Sequence, residues 1–274
     1  MYADSIGRTE TRDDRVWPPL LRHLAAALDR PEPETLPPLW HWMLFQDWHP
    51  PSGLGSDGHP ERGGFLPPVH DLPRRMWAGG RLCFHEAGIL RPGDPVTRTS
   101  TVADVTAKTG ASGRLVFVTV RHEISGPAGP AISEEQDLVY RGAEGAAVKS
   151  ASPAPSAPGH AVRAEVLPDA VLLFRYSALT GNGHRIHYDL DYVTRQEGYP
   201  GLVVHGPLQA TWLAELAARH HPGRRIASFG FRGRRPAFAG RPMTLEGWDE
   251  GEIVRLRTLD ADGAVCMDAE AHLG

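Results

Sequence analysis

Residues 96–141 hold three β-rich runs, VTRTSTVADVTAK, LVFVTVRHEIS and AISEEQDLVYR, separated only by TGASG and GPAGP. Parallel neighbours need a crossover of a dozen residues or more, so runs joined this tightly pair as an antiparallel meander. MWAGGRLCFHEAGI, residues 76–89, adds a strand with a bulge at its glycine pair. The second half of the chain repeats the plan. An apolar helix, Pro207–His220, precedes four strand patterns, Arg225–Gly233, Met243–Trp248, Glu252–Asp260 and Ala264–His272. In the first half the matching helix is expected at Pro38–Phe45, inside LPPLWHWMLFQDW. The expected class is therefore α+β, with one helix of about four turns embraced by an antiparallel sheet, twice over.

The chain has 274 residues, which suits two units. We place the first at 16–141 and the second at 163–274. Between them, 142–162 (GAEGAAVKSASPAPSAPGHAV) almost lacks large apolar residues and reads as a linker. A helix is expected over Val16–Leu28, where Pro18 and Pro19 suit a first turn. His49 to Val69 has no period and reads as a long loop, expected to lie over the substrate entrance of the second half. The net charge of −4 argues against a nucleic-acid partner. No apolar run approaches the ~20 residues that span a bilayer, and the first fifteen residues have no apolar signal core. A cytoplasmic protein is expected. Cys83 and Cys266 are too few for a disulfide framework or a zinc site, and each is expected to act as a small hydrophobe in a strand.

The chemistry concentrates in LFRYSALTGNGHRIHYDLDYVTRQEGYPGLVVHGPLQATWLAELAARHH, residues 173–221. His187 and His184 can move protons near neutral pH. Asn182 can hold a water or a carbonyl but cannot act as a base. These groups are equally what a polar loop uses to satisfy its own backbone. Val203-Val204-His205-Gly206-Pro207 then sets a glycine at the mouth of an apolar helix. Orphan N–H groups there suit a developing oxyanion, as on a thioester carbonyl. Alone, Gly206-Pro207 is only a helix start; with a proton carrier beside it, the pair is more specific.

YSALTGNGHRIHYD followed by GYPGLVVHGPL resembles the MaoC-like hydratase/dehydratase family of the hotdog superfamily. The most similar branch includes mesaconyl-CoA and itaconyl-CoA hydratases and mitochondrial type 2 hydroxyacyl-thioester dehydratases. DLPRRMWAGGRLCFH, KTGASGRLVFVTV and EEQDLVYR resemble that branch's N-terminal half, so the resemblance runs from about Leu36 onward. It implies a double hotdog: two central helices, each wrapped by a curved antiparallel sheet. It also implies an acyl-CoA substrate and reversible addition of water to an enoyl double bond. No metal or redox cofactor is implied; coenzyme A enters as part of the substrate, and a homodimer is expected. The family dyad is Asp, four residues, then His. Here His187 is the His and Asn182 stands at the Asp, which leaves a second acid/base to find: His184 first, Asp189 second. Gly206 matches the oxyanion glycine. Gly181 replaces a bulkier residue and is expected to widen the acyl pocket. A hotdog thioesterase or a non-catalytic acyl-carrier-binding subunit remain the rival readings.

For substrate binding the candidates are Arg232, Arg234 and Arg235 in FRGRRP, with His205 and Tyr188. Arginine suits coenzyme A phosphates and a substrate carboxylate alike; a solvated turn would carry the same residues. Arg74-Arg75 offers the same choice. Trp40, Trp42 and Trp48 are expected in the core, and Glu134-Glu135 on a solvated strand edge. One active site is expected, in the second half.

Overall fold

A computed structural model describes residues 2–61, 63–110, 113–142 and 152–274. Ten strands run β1 Thr9–Arg15, β2 Arg74–Phe84, β3 Pro95–Gly110, β4 Gly113–Gly126, β5 Gly129–Arg141, β6 Val162–Val166, β7 Ile226–Gly233, β8 Met243–Glu250, β9 Ile253–Leu259 and β10 Val265–Leu273. The helices are α1 Pro18–Ala27, α2 Ala170–Thr180, α3 Leu190–Arg195 and α4 Gly206–His220. All ten strands form one sheet, ordered β1-β3-β4-β5-β2-β7-β10-β9-β8-β6. The expected glycine-pair bulge is present in β2, between Trp77 and Gly79 against β5. The two halves meet where Gly79–Cys83 of β2 pairs antiparallel with Arg232–Ser228 of β7.

Helix α4 is the central helix of the second half, packed on β7, β8, β9 and β10. It is buried on nearly every face, with Leu208 and Leu213 at 0% exposure, and its buried Gln209 and Thr211 are satisfied by the Thr258 hydroxyl and the Pro207 carbonyl. Each such leucine contributes roughly 1.5–3 kcal/mol. The first half departs from expectation. Pro38–Phe45 is not a helix of four turns: only Trp40–Met43 forms a short 3-10 turn. Left-handed backbone at Leu39 (φ 70°) and Phe45 (φ 56°) brackets it. Two carboxylates from outside the segment hold it, one through its backbone and one through its side chains. Asp14 accepts from the Phe45 N–H at 2.6 Å, and Glu134 accepts from the Trp42 indole at 2.9 Å and bonds the His41 ring at 3.0 Å.

Glu134 is thus not on a solvated edge; it is 4% exposed. Burial pushes its carboxyl up, but the His41 contact outweighs that and leaves it below the usual range. Its neighbour Glu135 faces out and pairs with Arg81 and Arg121. Trp40 is buried and Trp42 packs against the same core, but Trp48 is 73% exposed. Cys266 is buried in β10, whereas Cys83 in β2 is exposed. Of the expected linker, residues 143–151 lie outside the described residues; beyond them, the Ala154 N–H bonds the Gly263 carbonyl and Pro155 accepts from Arg257. Among the described residues no helix is long and apolar enough to cross a membrane.

Candidate active site

The site begins where α2 stops. Gly181 takes a left-handed conformation (φ 63°) and closes the helix, a conformation that glycine adopts without penalty. A Cβ there would lie 3.3 Å from the Gln46 side chain. The glycine is therefore a helix stop packed on Gln46, which corrects the expectation that it widens an acyl pocket. The next residues form a tight turn: the Asn182 N–H reaches the Ser177 carbonyl, and Asn182 Oδ1 accepts from the His184 N–H at 3.0 Å. A second turn, Arg185–His187, follows. Asp189 is committed elsewhere, as the cap of α3 and the partner of Arg185 at 2.7 Å. That removes it as an acid/base candidate.

Two hydrogen bonds clip this turn to the segment that enters α4. The Val203 N–H donates to the Ile186 carbonyl, and His187 Nδ1 lies 2.7 Å from the Val203 carbonyl. A carbonyl only accepts, so Nδ1 carries the proton and Nε2 keeps its lone pair. Burial lowers the His187 ring to about 4, against the raising effect of the Val203 bond. His187 is therefore a neutral base with its acceptor nitrogen defined. Beneath it lies His205, stacked at 3.6 Å and 16°. His205 is 0% exposed and holds Ser177 Oγ at 2.8 Å. It cannot touch substrate, which corrects its assignment as a binding residue; it is the floor on which His187 rests. Tyr188 is 46% exposed and donates to the Gly183 carbonyl, fastening the turn.

Because the His205 side chain turns to Ser177, no side chain caps α4. The first N–H groups of a fifteen-residue helix are left without a side-chain acceptor, together with the positive end of its dipole. A Cβ on Gly206 would meet only Met267, at 3.9 Å, so the backbone there is open to a ligand.

The loop from the first half docks onto this turn. The Arg185 N–H and Nη1 donate to the Asp57 and Ser56 carbonyls, each at 2.9 Å. Gly58 and Gly183 approach so closely that a Cβ on Gly58 would sit 2.1 Å from the Gly183 oxygen. The docking sets the His59 ring 4.3 Å from that of His184, which stands edge-on to His187 at 5.6 Å. His59 is held in turn by Asp57, through its N–H at 3.0 Å and its Nδ1 at 3.3 Å. Burial drives His184 down to about 2, which favours its neutral form. Burial works to raise Asp57, but the His59 contacts overcome it and hold the carboxyl well below the usual range. Asp57 and His59 were missed in the sequence because nothing in a Pro/Gly loop marks which distant turn it will meet. Asp57, His59 and His184 also bring donor atoms within 4.8 Å of one another, as do His220, His221 and Asp249.

The three arginines of FRGRRP do not converge on one anion. Arg232 is exposed on β7, Arg234 pairs with Asp268, and Arg235 faces Asp260 at 3.6 Å in a cavity of about 190 Å³. A larger cavity, about 730 Å³, lies between the docked loop and α3, walled in part by His59, Arg74, Arg75 and Arg185.

The sequence profile of the hydroxyacyl-thioester dehydratase type 2 family matches residues 39–239. Mesaconyl-C(4)-CoA hydratase of Chloroflexus aurantiacus is 46% identical over 275 residues, covering 98% of this chain and 96% of that protein. The mitochondrial hydroxyacyl-thioester dehydratase type 2 of Schizosaccharomyces pombe is 29% identical over 236 residues, 77% of each. A MaoC-like dehydratase from Phytophthora capsici superposes with a TM-score of 0.73 at 17% identity, over 100% of this chain and 98% of that one.

Proposed function

Since the chain belongs to the hydroxyacyl-thioester dehydratase type 2 family, has the hotdog fold and is an acyl-CoA hydratase/dehydratase, we propose that it hydrates an enoyl-CoA of the mesaconyl type, with His187 as the base. The observation that carries this reading is His187 itself: buried, neutral, its Nδ1 fixed by Val203 and its Nε2 bare, beside the uncapped start of α4.

In the hydration direction, His187 Nε2 takes a proton from water as the water oxygen bonds the β-carbon. The π electrons move toward the thioester, whose oxygen becomes enolate-like and is held by the Gly206 N–H. One such donor is worth about 3–4 kcal/mol, and a general base about 10²–10⁴-fold. The Asn182 amide N–H₂ steers the water. The α-carbon then needs a proton. Asn182 cannot supply it, and burial works against His184. We assign it to His59, whose Nδ1 faces the Asp57 carboxylate. The acid and the base are thus two histidines in different settings, one against a carboxylate and one buried against a backbone carbonyl. The chemistry is acid–base throughout, and coenzyme A takes part only as the carrier in the substrate. The same reading takes the protein to be a cytoplasmic homodimer, which sedimentation and cell fractionation test.

The test is incubation with mesaconyl-CoA, crotonyl-CoA and their hydroxy forms, following enoyl-thioester absorbance and free thiol. Loss or gain of the enoyl band without thiol is expected. His187→Ala should lose at least ~10²-fold in kcat, the low end for a general base. Thiol release, or wild-type kcat in His187→Ala, would refute the assignment.

A further inference from the structure

The large cavity carries a charge that the scheme above leaves unused. Among the described residues, three arginines wall it. Arg74 is spent on Glu197, at 3.0 Å, and Arg185 on Asp189. Arg75 is half-buried in β2 and, among the described residues, makes no hydrogen bond or ion pair. The acids of the same wall are accounted for: Asp57 by His59, Glu197 by Arg74, and Asp191 by Arg195 at 2.8 Å. Glu61 is exposed at the rim. Among the described residues, one uncompensated guanidinium therefore faces a space of about 730 Å³, the size of a small-molecule pocket. The histidine row borders the same space, since His59 lines the cavity with Arg75.

We propose that Arg75 is the receptor for a free carboxylate on the acyl group, so that the substrate is an unsaturated dicarboxylic acid joined to coenzyme A through one carboxyl only. This rests on the hydratase reading and adds the residue that selects the substrate. A guanidinium binds a carboxylate through two parallel N–H donors, a geometry that lysine cannot copy. In a mesaconyl group linked through C4, the free carboxylate is borne by the β-carbon, where the water adds. A cation close to the histidine row is where such a carboxylate has to be met. It also leaves a plain enoyl-CoA such as crotonyl-CoA at a disadvantage, because Arg75 would then stay unpaired in a partly closed pocket.

The test is made in a His187→Ala background, so that neither thioester is consumed. Dissociation constants for mesaconyl-CoA and crotonyl-CoA are measured by calorimetry before and after adding Arg75→Gln or Arg75→Lys. The parent should prefer mesaconyl-CoA, and Arg75→Gln should shrink that preference roughly 10–10²-fold. Arg75→Lys should fall between. Crotonyl-CoA binding reports that each variant remains folded. Equal affinity for both thioesters in the parent, an unchanged ratio in Arg75→Gln, or an equal loss on both would overturn the proposal; the last would make Arg75 a contact for the coenzyme. Failure of the hydratase reading looks different: the wild type turns over neither thioester while the binding preference persists.

Discussion

At the scale of single residues, the site turns on where protons rest. With His187 as the proposed base, held near 4 by burial against the pull of the Val203 carbonyl, the ring should set the acid limb of the pH–rate profile. Above that value the ring is neutral and can accept; below it the base is lost. Asn182→Asp adds a carboxylate five positions before it. A negative charge favours the imidazolium, so the pKa should rise and the acid limb of kcat/KM should move to higher pH. Asp57→Asn removes the carboxylate that holds the His59 ring, so kcat should fall while the acid limb stays in place. Both effects are read from pH profiles of kcat and kcat/KM. An Asn182→Asp acid limb that stays in place would mean that the position does not face His187. The sequence singled out His187, Asn182 and Gly206 as candidates because they lie together in one stretch. It could not show Asp57 and His59, which meet that stretch only through folding. The burial of Glu134 is legible in its strand: a strand alternates its faces, and Glu134 shares one with Ile132 and Leu138, both buried.

Among the elements, the loop and turn that carry the two proposed proton carriers are joined by a contact between two glycines. Gly58→Ala would put a Cβ 2.1 Å from the Gly183 oxygen at a backbone of φ 85°, and Gly183→Ala one 2.6 Å from the Gly58 oxygen. Neither can be absorbed by a flexible side chain, so each should undock the loop. Once undocked, the second substitution has little left to break. A double-mutant cycle in kcat/KM should therefore be strongly sub-additive, and limited proteolysis should cut the loop in every variant. Simple additivity would show that the two glycines act independently. Strands β2–β5 and β7–β10 and helix α4 were legible because their periods are local; β1, in the polar first fifteen residues, and β6, at the edge of the expected linker, were not. The 38–45 segment was not: its apolar density suggested a helix, but Asp14 and Glu134 satisfy its backbone and side chains from afar.

Over the whole molecule, four buried or nearly buried histidines are held below their ordinary pKa. Burial is the leading cause for His122, His184, His187 and His205 alike. The unfolded chain protonates them near 6.5, and the folded chain does so only lower. Their contribution to stability is complete above about pH 6.5 and is lost as pH falls toward their folded values. The slope is at most about 1.4 kcal/mol per pH unit for each ring. Denaturant midpoints should fall steeply between pH 7 and 5, and replacing His122 by glutamine should flatten the fall. A second whole-molecule property follows from the pairing of Gly79–Cys83 with Arg232–Ser228. A chain laid out twice is usually thought of as two modules that can be traded, cut apart or inherited singly. Here each half ends its sheet on the other's strand, and parted at the linker each would bare a row of unpaired amides and carbonyls, an edge that invites aggregation. The repeat survives in the plan of the chain, but the unit that can be passed on is the whole.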